Sequence, residues 1–205
     1  FFCFFFFLKR RTQYRTNKVL LGLRCGKEKE LKVNLSLDDA FVHHFISKGG
    51  KFLYCISEKE IINNLDQIIS ENNWDIITCF DKSLKNFLKK SHVNVQEEVD
   101  DKKPFFTSCE HLISDNGDIL FSSNQLSTHK LASLTNDFIV FAKTSQFVKD
   151  TGEGLTGIKT NCKDGSIPTN ISAIKKYSLN IDDDNFLNYG NNNSKNLYLL
   201  LLEDL

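Results

Sequence analysis

Residues 106–120 read FTSCEHLISDNGDIL, and this stretch constrains the architecture of the chain more strongly than any other. Its centre is the pair Asn116 and Gly117, which lies between two apolar runs. Asn-Gly between apolar segments is the strongest short signal for a β-hairpin, because both residues readily adopt the positive φ angles of a tight turn. The stretch therefore predicts two antiparallel strands joined at this pair.

Upstream of the hairpin, the pattern alternates between strands and helices. Ser36 and Ser57 are predicted N-caps, and the second helix carries apolar residues at helical spacing up to residue 72. The predicted strands are residues 51–56, 74–80 and 93–99, and the predicted helices are residues 36–48, 57–72 and a third that ends near residue 92. Short connections between such elements favour a parallel sheet covered on both faces.

Downstream of the hairpin, the pattern is less regular. We predict helices over residues 126–134 and 145–158, the second broken by Gly152, Gly154 and Gly157, and strands over residues 137–142, 167–177 and 196–202. Residues 182–196 are acidic and then asparagine-rich, which predicts an exposed loop. The fold class predicted from all these elements is a three-layer α/β/α architecture with a mostly parallel sheet and an antiparallel hairpin.

The composition is that of one ordinary globular domain. The chain has 205 residues, of which 40% are hydrophobic and 25% are charged, enough for a single core. Its 26 basic and 26 acidic residues balance, which argues against a protein that binds nucleic acid over its whole surface. No apolar run reaches the ~20 residues of a membrane-spanning helix.

The N-terminal residues differ from the rest in charge. Residues 1–32 contain nine Lys and Arg and two Asp and Glu, whereas residues 33–205 contain 17 and 24. We therefore interpret residues 1–34 as a basic leader, disordered or not native, and residues 35–205 as the domain. A membrane-tethered regulator that uses this leader is one alternative function.

The six cysteines favour a structural role. They are Cys3, Cys25, Cys55, Cys79, Cys109 and Cys162, and they form no CxxC pair of the kind found in zinc and iron–sulfur sites. Isolated cysteines in apolar runs are typical of buried, reduced thiols, so we expect a cytoplasmic protein without a metal site. Cys109 and Glu110 are adjacent, and adjacent strand residues face opposite ways, which argues against a thiol nucleophile.

Sequence motifs do not identify a reaction. Residues 152–157, GEGLTG, match GxGxxG, but we predict that they lie inside or after a helix rather than opening one behind a strand, and neither GxxxxGK[ST] nor HExxH occurs. The candidates are instead polar residues at strand ends and in turns, although the same residue types also form ordinary turns and caps. Glu110 and Asp118 are the candidate catalytic bases. The candidate ligand-binding residues are Thr107, Asn116, Gly117, Ser122, Ser123, Asn124, Ser166, Thr169 and Asn170.

Residues 106–120 also resemble the central stretch of the LUD domain, the LutC-like lactate-utilisation family, in which a threonine, an acidic residue and a hairpin precede a strand. Residues 137–142, DFIVFA, resemble the next strand of the family, and residues 194–202, SKNLYLLLL, resemble its last strand. The resemblance extends over residues 36–205. It implies the fold shared by ribose-5-phosphate isomerase and the CoA transferases.

The resemblance implies an accessory or ligand-binding component of L-lactate utilisation, in which lactate is oxidised to pyruvate. Its partners would be iron–sulfur oxidoreductase subunits, with iron–sulfur and FAD centres in those partners and no cofactor in this chain. A small anionic compound would be its ligand, and neither nucleic acid nor a membrane is an expected partner.

Two departures from the family pattern bear on catalysis. Pro168 and Asn170 stand where the family has a threonine and an aspartate, and residues 190–194 lack a histidine that the family has there. Asparagine does not transfer protons near neutral pH, which favours an accessory role. An enzyme of the sugar-phosphate isomerase or CoA-transferase type, with Glu110 or Asp118 as its base, is the alternative.

Overall fold

The computed structural model describes residues 35–91, 93–160, 168–177 and 194–204. The predicted leader, Ser166 and most of the predicted loop over residues 182–196 lie outside these ranges. The helices are α1 (Leu37–Ser47), α2 (Glu58–Asn72), α3 (Lys85–Lys90), α4 (Ser123–Leu126) and α5 (Thr151–Thr160), with short 3₁₀-helices at Leu131–Ser133 and Thr144–Gln146. The strands are β1 (Lys51–Cys55), β2 (Ile76–Thr78), β3 (Asn94–Gln96), β4 (Phe105–Ser108), β5 (His111–Ile113), β6 (Asp118–Phe121), β7 (Asp137–Lys143), β8 (Phe147–Val148), β9 (Ser172–Ile174) and β10 (Asn196–Leu202).

The strands form two sheets. The first has the order β1-β10-β7-β4-β2-β3, and each of its neighbouring pairs is parallel. The second has the order β8-β5-β6-β9 and contains the antiparallel β5–β6 hairpin. The predicted mostly parallel α/β architecture is therefore confirmed, and the hairpin belongs to a sheet of its own. The strand predicted over residues 196–202 is confirmed as β10, which lies between β1 and β7.

Helices α2 and α3 cover one face of the parallel sheet. Leu65 of α2 and Leu88 of α3 are fully buried in one cluster with Phe106 of β4 and Leu200 of β10. Burying a leucine or phenylalanine side chain completely contributes about 1.5–3 kcal/mol. This cluster is what holds the two helices on the sheet.

Helix α1 and the second sheet cover the opposite face. Phe41 of α1 and Ile119 of β6 are fully buried in the same cluster as Val140 of β7 and Leu199 of β10. The outer face of the second sheet is covered by α5, whose Ile158 packs in a smaller cluster with Leu120. The described residues therefore stack in the order α2 and α3, parallel sheet, α1 with the second sheet, and α5.

The helix predicted over residues 126–134 is wrong. α4 ends at Leu126, because Ser127 adopts a positive φ angle of 54° that no α-helix continues. The remaining residues contribute only the 3₁₀-turn Leu131–Ser133. The strands predicted over residues 74–80, 93–99 and 167–177 exist but are shorter.

The helix predicted over residues 145–158 is also wrong in its first half. There Thr144–Gln146 is a 3₁₀-helix and β8 pairs with β5. Two residues separate β8 from α5, which continues through its glycines without a break. The GxGxxG match over residues 152–157 therefore does follow a strand and lies in the first turns of a helix, contrary to the prediction. A Cβ atom on Gly154 would lie 2.8 Å from Leu120 Cδ1, so this glycine allows α5 to approach the second sheet closely.

The hairpin turn spans residues 114–117. Ile113 pairs with Asp118 across its base, and Gly117 has a φ angle of 71°. A Cβ on Gly117 would lie 2.7 Å from the backbone N of Phe45, so the turn packs directly against α1. The Asn-Gly signal therefore marks both a turn and a close contact between elements.

Candidate functional site

The parallel sheet has a topological switch point between β2 and β4. The chain leaves β2 towards β3 on one side, and it leaves β4 towards β7 and β10 on the other. Connections that depart in opposite directions open a crevice at the carboxyl ends of the two strands, where α/β proteins bind ligands. β2 and β4 share a single registered pair, Thr78 with Phe105, which joins the last residue of β2 to the first residue of β4, so β4 extends beyond the end of β2.

Residues 122–129 cross this crevice. Near their start, the Asn124 side chain contacts Glu110, which follows β4. At their end, the ring of His129 stacks on Phe80, which follows β2, with centroids 5.5 Å apart and an interplanar angle of 23°. The segment therefore contacts the residues that follow both strands and forms one wall of the crevice.

Glu110 is held through one of its carboxylate oxygens. Ser122 Oγ donates to Glu110 Oε1 at 2.6 Å, and Asn124 Nδ2 donates to the same oxygen at 2.9 Å. Across the described ranges, no donor contacts Oε2, and no ion pair includes Glu110. One oxygen is thus fixed, and the other can accept a hydrogen bond or a proton from a ligand.

Ser122 has this orientation because it caps α4. Its Oγ accepts from the backbone N of Asn124 at 3.1 Å, and its own backbone N donates to Gln125 Oε1 at 2.9 Å. This reciprocal arrangement is a capping box. Ser122 is fully buried, so its hydroxyl serves Glu110 and the helix rather than a ligand directly.

A second segment is fixed against α4. The backbone N of Ser123 donates to Thr169 O at 2.8 Å, and the backbone N of Thr169 donates to Ser123 Oγ at 3.0 Å. Asn170 Nδ2 donates to His129 O at 2.6 Å. Two of the predicted ligand-binding residues, Ser122 and Asn124, therefore bond directly to Glu110, whereas Ser123, Thr169 and Asn170 fix the second segment to residues 122–129.

Three other predicted site residues lie at the far end of the hairpin. Asp118 is buried and its Oδ1 accepts from Lys48 Nζ at 2.7 Å. Its backbone N donates to Asn116 Oδ1 at 3.0 Å, and Tyr177 donates its hydroxyl to Gly117 O at 2.5 Å. These contacts stabilise the turn. The two candidate bases, Glu110 and Asp118, therefore do not share a site.

The side chain of Thr107 is also inaccessible to a ligand. Its side chain is buried, and its Oγ1 donates to the carbonyl of Ser108 at 3.1 Å. Ser166 lies outside the described residues, so its prediction stays open.

Sequence reasoning missed Asp81 on the β2 side of the crevice. Its Oδ1 accepts from the backbone N and Oγ of Ser83, at 2.8 and 2.7 Å. Ser108 Oγ, at the end of β4, donates to Asp81 Oδ2 at 3.4 Å and so links the two strand ends. Asp81 directly follows the apolar stretch over residues 74–80. Its position as the first polar residue after a predicted strand could have identified it as a candidate.

The described cysteines are buried and free. Burial raises the pKa of Cys55 to about 11 and that of Cys79 to about 12, and it raises the pKa of Cys109 well above its usual range. These thiols are protonated near neutral pH and are poor nucleophiles. The predicted structural role is confirmed for these three, whereas Cys3, Cys25 and Cys162 lie outside the described residues.

The part of the chain that the structure describes contains no group of three or more His, Cys, Asp and Glu side chains placed to hold a metal ion. Over the same ranges, none of the helices has the length and apolar character that crossing a membrane requires.

Comparison with known proteins assigns the family. The model of the LUD domain matches residues 39–202. This chain belongs to the LUD-domain family. The fold of this LUD-domain protein is similar to the crystal structure of a DUF162 family protein from Deinococcus radiodurans, with a TM-score of 0.58 and 12% identity. The likeness covers 83% of this chain and 99% of that one. No protein with a curated description matches the sequence.

Proposed function

We propose that this LUD-domain protein is an accessory, ligand-binding component of L-lactate utilisation, the oxidation of lactate to pyruvate. The observation that carries the proposal is the LUD-domain match over residues 39–202. Iron–sulfur oxidoreductase subunits are the proposed partners, and the iron–sulfur and FAD centres belong to them. The compartment that fits this role is the cytoplasm.

The ligand of this proposal binds in the crevice between the carboxyl ends of β2 and β4. Glu110 is the main binding residue. Its Oε1 is fixed by Ser122 and Asn124, and its Oε2 can accept a hydrogen bond from a hydroxyl group of the ligand. Asn124 Nδ2 has a second N–H that can donate to the carboxylate of a small anionic ligand such as a 2-hydroxy acid.

Growth on L-lactate as the sole carbon source tests the role. We expect a deletion strain to stop growing and the full chain to restore growth. Glu110→Gln should fail to restore it, because the amide removes the charge and half of the acceptor capacity. Glu71→Gln, at an exposed position on α2, is the matched control and should restore growth. Normal growth of the deletion strain contradicts the proposal.

Purification of the tagged full chain from lactate-grown cells tests the partners. Iron–sulfur subunits should copurify, and their visible absorbance should be present in the eluate. Recovery of the chain with no iron-containing protein argues against an accessory role in this system.

The second candidate is an enzyme of the sugar-phosphate isomerase or CoA-transferase type. The observation that favours it is the oriented Glu110 carboxylate with one unoccupied oxygen at the switch point. Turnover of a sugar phosphate or an acyl-CoA should then be lost in Glu110→Gln. Asp118→Asn should retain turnover and only lower stability, since Asp118 pairs with Lys48 away from the crevice. No turnover across a panel of both classes removes this candidate.

A further inference from the structure

The residues that follow β10, β7 and β4 are connected by side chains at the carboxyl edge of the parallel sheet. These strands are neighbours in the sheet, so the residues after them lie side by side. We propose that Gln146 and Asp204 are positioning residues that set the direction of the Glu110 carboxylate. The inference rests on the proposed function in one respect, which is that Glu110 anchors the ligand.

Gln146 uses both ends of its side-chain amide. Its Nε2 donates to Cys109 O at 2.6 Å and to Glu110 O at 3.1 Å. Its Oε1 accepts from the backbone N of Lys143, the last residue of β7, at 2.7 Å. The registered pairing of β4 with β7 ends at Ser108, so Cys109 and Glu110 lie beyond it. The Gln146 amide therefore connects the residues after β4 to the end of β7, beyond the last backbone pair of the two strands.

Asp204 holds the 3₁₀-helix that carries Gln146. Its Oδ1 accepts from Thr144 Oγ1 at 2.8 Å and from the backbone N of Ser145 at 2.9 Å, and its Oδ2 accepts from Ser145 Oγ at 2.8 Å. Burial acts to raise the pKa of Asp204, but the hydrogen bonds from Ser145 and Thr144 outweigh it and hold that pKa below its usual value. A charged carboxylate therefore fixes the first two residues of this helix throughout the neutral range.

The hydrogen bonds of Asp204 and Gln146 lead to Glu110, and both backbone polar groups of Glu110 are hydrogen-bonded. Its N donates to Leu120 O at 2.9 Å, and its carbonyl accepts from Gln146 Nε2. The side chain leaves this fixed backbone and reaches Ser122 and Asn124. Loss of the Gln146 contact frees the peptide after Glu110, and the carboxylate can then turn away from its two donors. Gln146 acts through the backbone and touches no carboxylate oxygen.

Gln146→Glu is the sharpest test. It is nearly isosteric and keeps an acceptor for the backbone N of Lys143, but it places a carboxylate oxygen against the carbonyls of Cys109 and Glu110. The side-chain amide of Asn124 reports the position of the Glu110 carboxylate in ¹H–¹⁵N spectra of the full chain. We expect Gln146→Glu to shift this signal most of the way to its position in Glu110→Ala.

Gln67→Ala, at an exposed position on α2, is the matched control and should leave the Asn124 signal in place. Asp204→Ala removes both acceptor oxygens that hold Thr144 and Ser145, at an exposed residue, so it remains informative if Gln146→Glu does not fold. It should shift the signal in the same direction by a smaller amount. An Asn124 signal that moves in Glu110→Ala but stays in place in Asp204→Ala and in any folded Gln146→Glu overturns the inference.

The spectra require neither lactate nor a partner, so the two proposals can fail separately. A deletion strain that grows normally on L-lactate removes the proposed function and leaves the positioning result intact. An unmoved Asn124 signal removes the positioning role and leaves the growth result intact.

Discussion

The Ser122 hydroxyl connects the candidate site to the stability of the fold. It donates to Glu110 Oε1 and accepts from the backbone N of Asn124, so one oxygen orients a carboxylate and caps α4. The Cys109 thiol, next to Glu110 in sequence, is by contrast buried in the core, where its Sγ accepts from Gln146 Nε2 at 3.9 Å. Neighbours in sequence therefore separate into a site residue and a core residue, although both lie in the connection between β4 and β5 rather than in a strand.

Ser122→Ala should lower the free energy of unfolding by about 1–2 kcal/mol, the usual effect of removing a serine N-cap. The loss has two sources, the uncapped backbone N–H of α4 and the donor removed from Glu110. Urea unfolding of the full chain measures it. Ser70→Ala, at an exposed position on α2, is the matched control and should change stability by less than ~0.5 kcal/mol. Equal effects of the two substitutions would contradict the assignment.

Lys195 should make stability depend on alkaline pH. Its Nζ donates to Leu134 O and Thr135 O, both at 2.9 Å, and burial lowers its pKa from 10.5 to about 8. The unfolded chain then binds this proton more tightly than the folded chain, so the Lys195 contribution to stability rises as the pH increases from 8 to 10.5. Because the cysteine thiols of the unfolded chain titrate in the same window, the measurement is the difference between the full chain and Lys195→Met. That difference should vary over this range, and a constant difference would contradict the prediction.

At the scale of elements, the glycines of α5 determine how closely the helix packs on the second sheet. Gly154 is buried, and an added Cβ would lie 2.8 Å from Leu120 Cδ1 and 3.2 Å from Ile113 Cδ1. Gly152 is exposed, and its added Cβ would meet only the side chain of Asp150 at 3.2 Å. The two positions share a helix but differ in what surrounds them.

Gly154→Ala should lower the melting temperature, since overpacking costs roughly 1–3 kcal/mol and exceeds the ~1 kcal/mol that alanine adds in helix propensity. Gly152→Ala should change the melting temperature less, because its Cβ would meet only Asp150 Oδ1, at 3.2 Å, and the gain in helix propensity offsets that contact. Thermal unfolding of the two variants of the full chain gives the comparison. A melting temperature that rises in both variants would show that α5 does not pack on Leu120 as described.

Elements with a periodic pattern could be predicted from the sequence, and those fixed by distant partners could not. Ser36 and Ser57 are N-caps as predicted, because capping is a local interaction. Strand β8 has two residues and exists only through its pairing with β5. Such a short strand carries no periodicity, so residues 145–158 resembled one long helix.

The same distinction applies to the candidate site. Glu110, Ser122 and Asn124 lie near the hairpin in sequence and could be predicted as candidates. The stacking of Phe80 on His129 and the contact between Thr144 and Asp204 join residues far apart in the chain. Only the order of strands in the sheet brings these residues to one edge, and no local sequence pattern predicts that order.

At the scale of the whole molecule, one core joins the two sheets. Ile119 of the second sheet and Leu199 at the centre of the parallel sheet are both fully buried in the same cluster, together with Phe41 of α1. A domain with a shared core unfolds as a unit, since neither sheet can keep its apolar face buried alone.

Ile119→Ala should therefore destabilise both sheets together, by about 2–5 kcal/mol for a large-to-small change in a core. Native-state hydrogen exchange on the full chain measures this strand by strand, and the protection of amides in β6 and in β10 should fall by the same free energy. Ile62→Ala, at a partly exposed position on α2, should cost less and is the matched control. If protection in β10 were unchanged while β6 lost it, the second sheet would be an independent unit, and the Glu110 site would then be held to the parallel sheet by Gln146 rather than by the core.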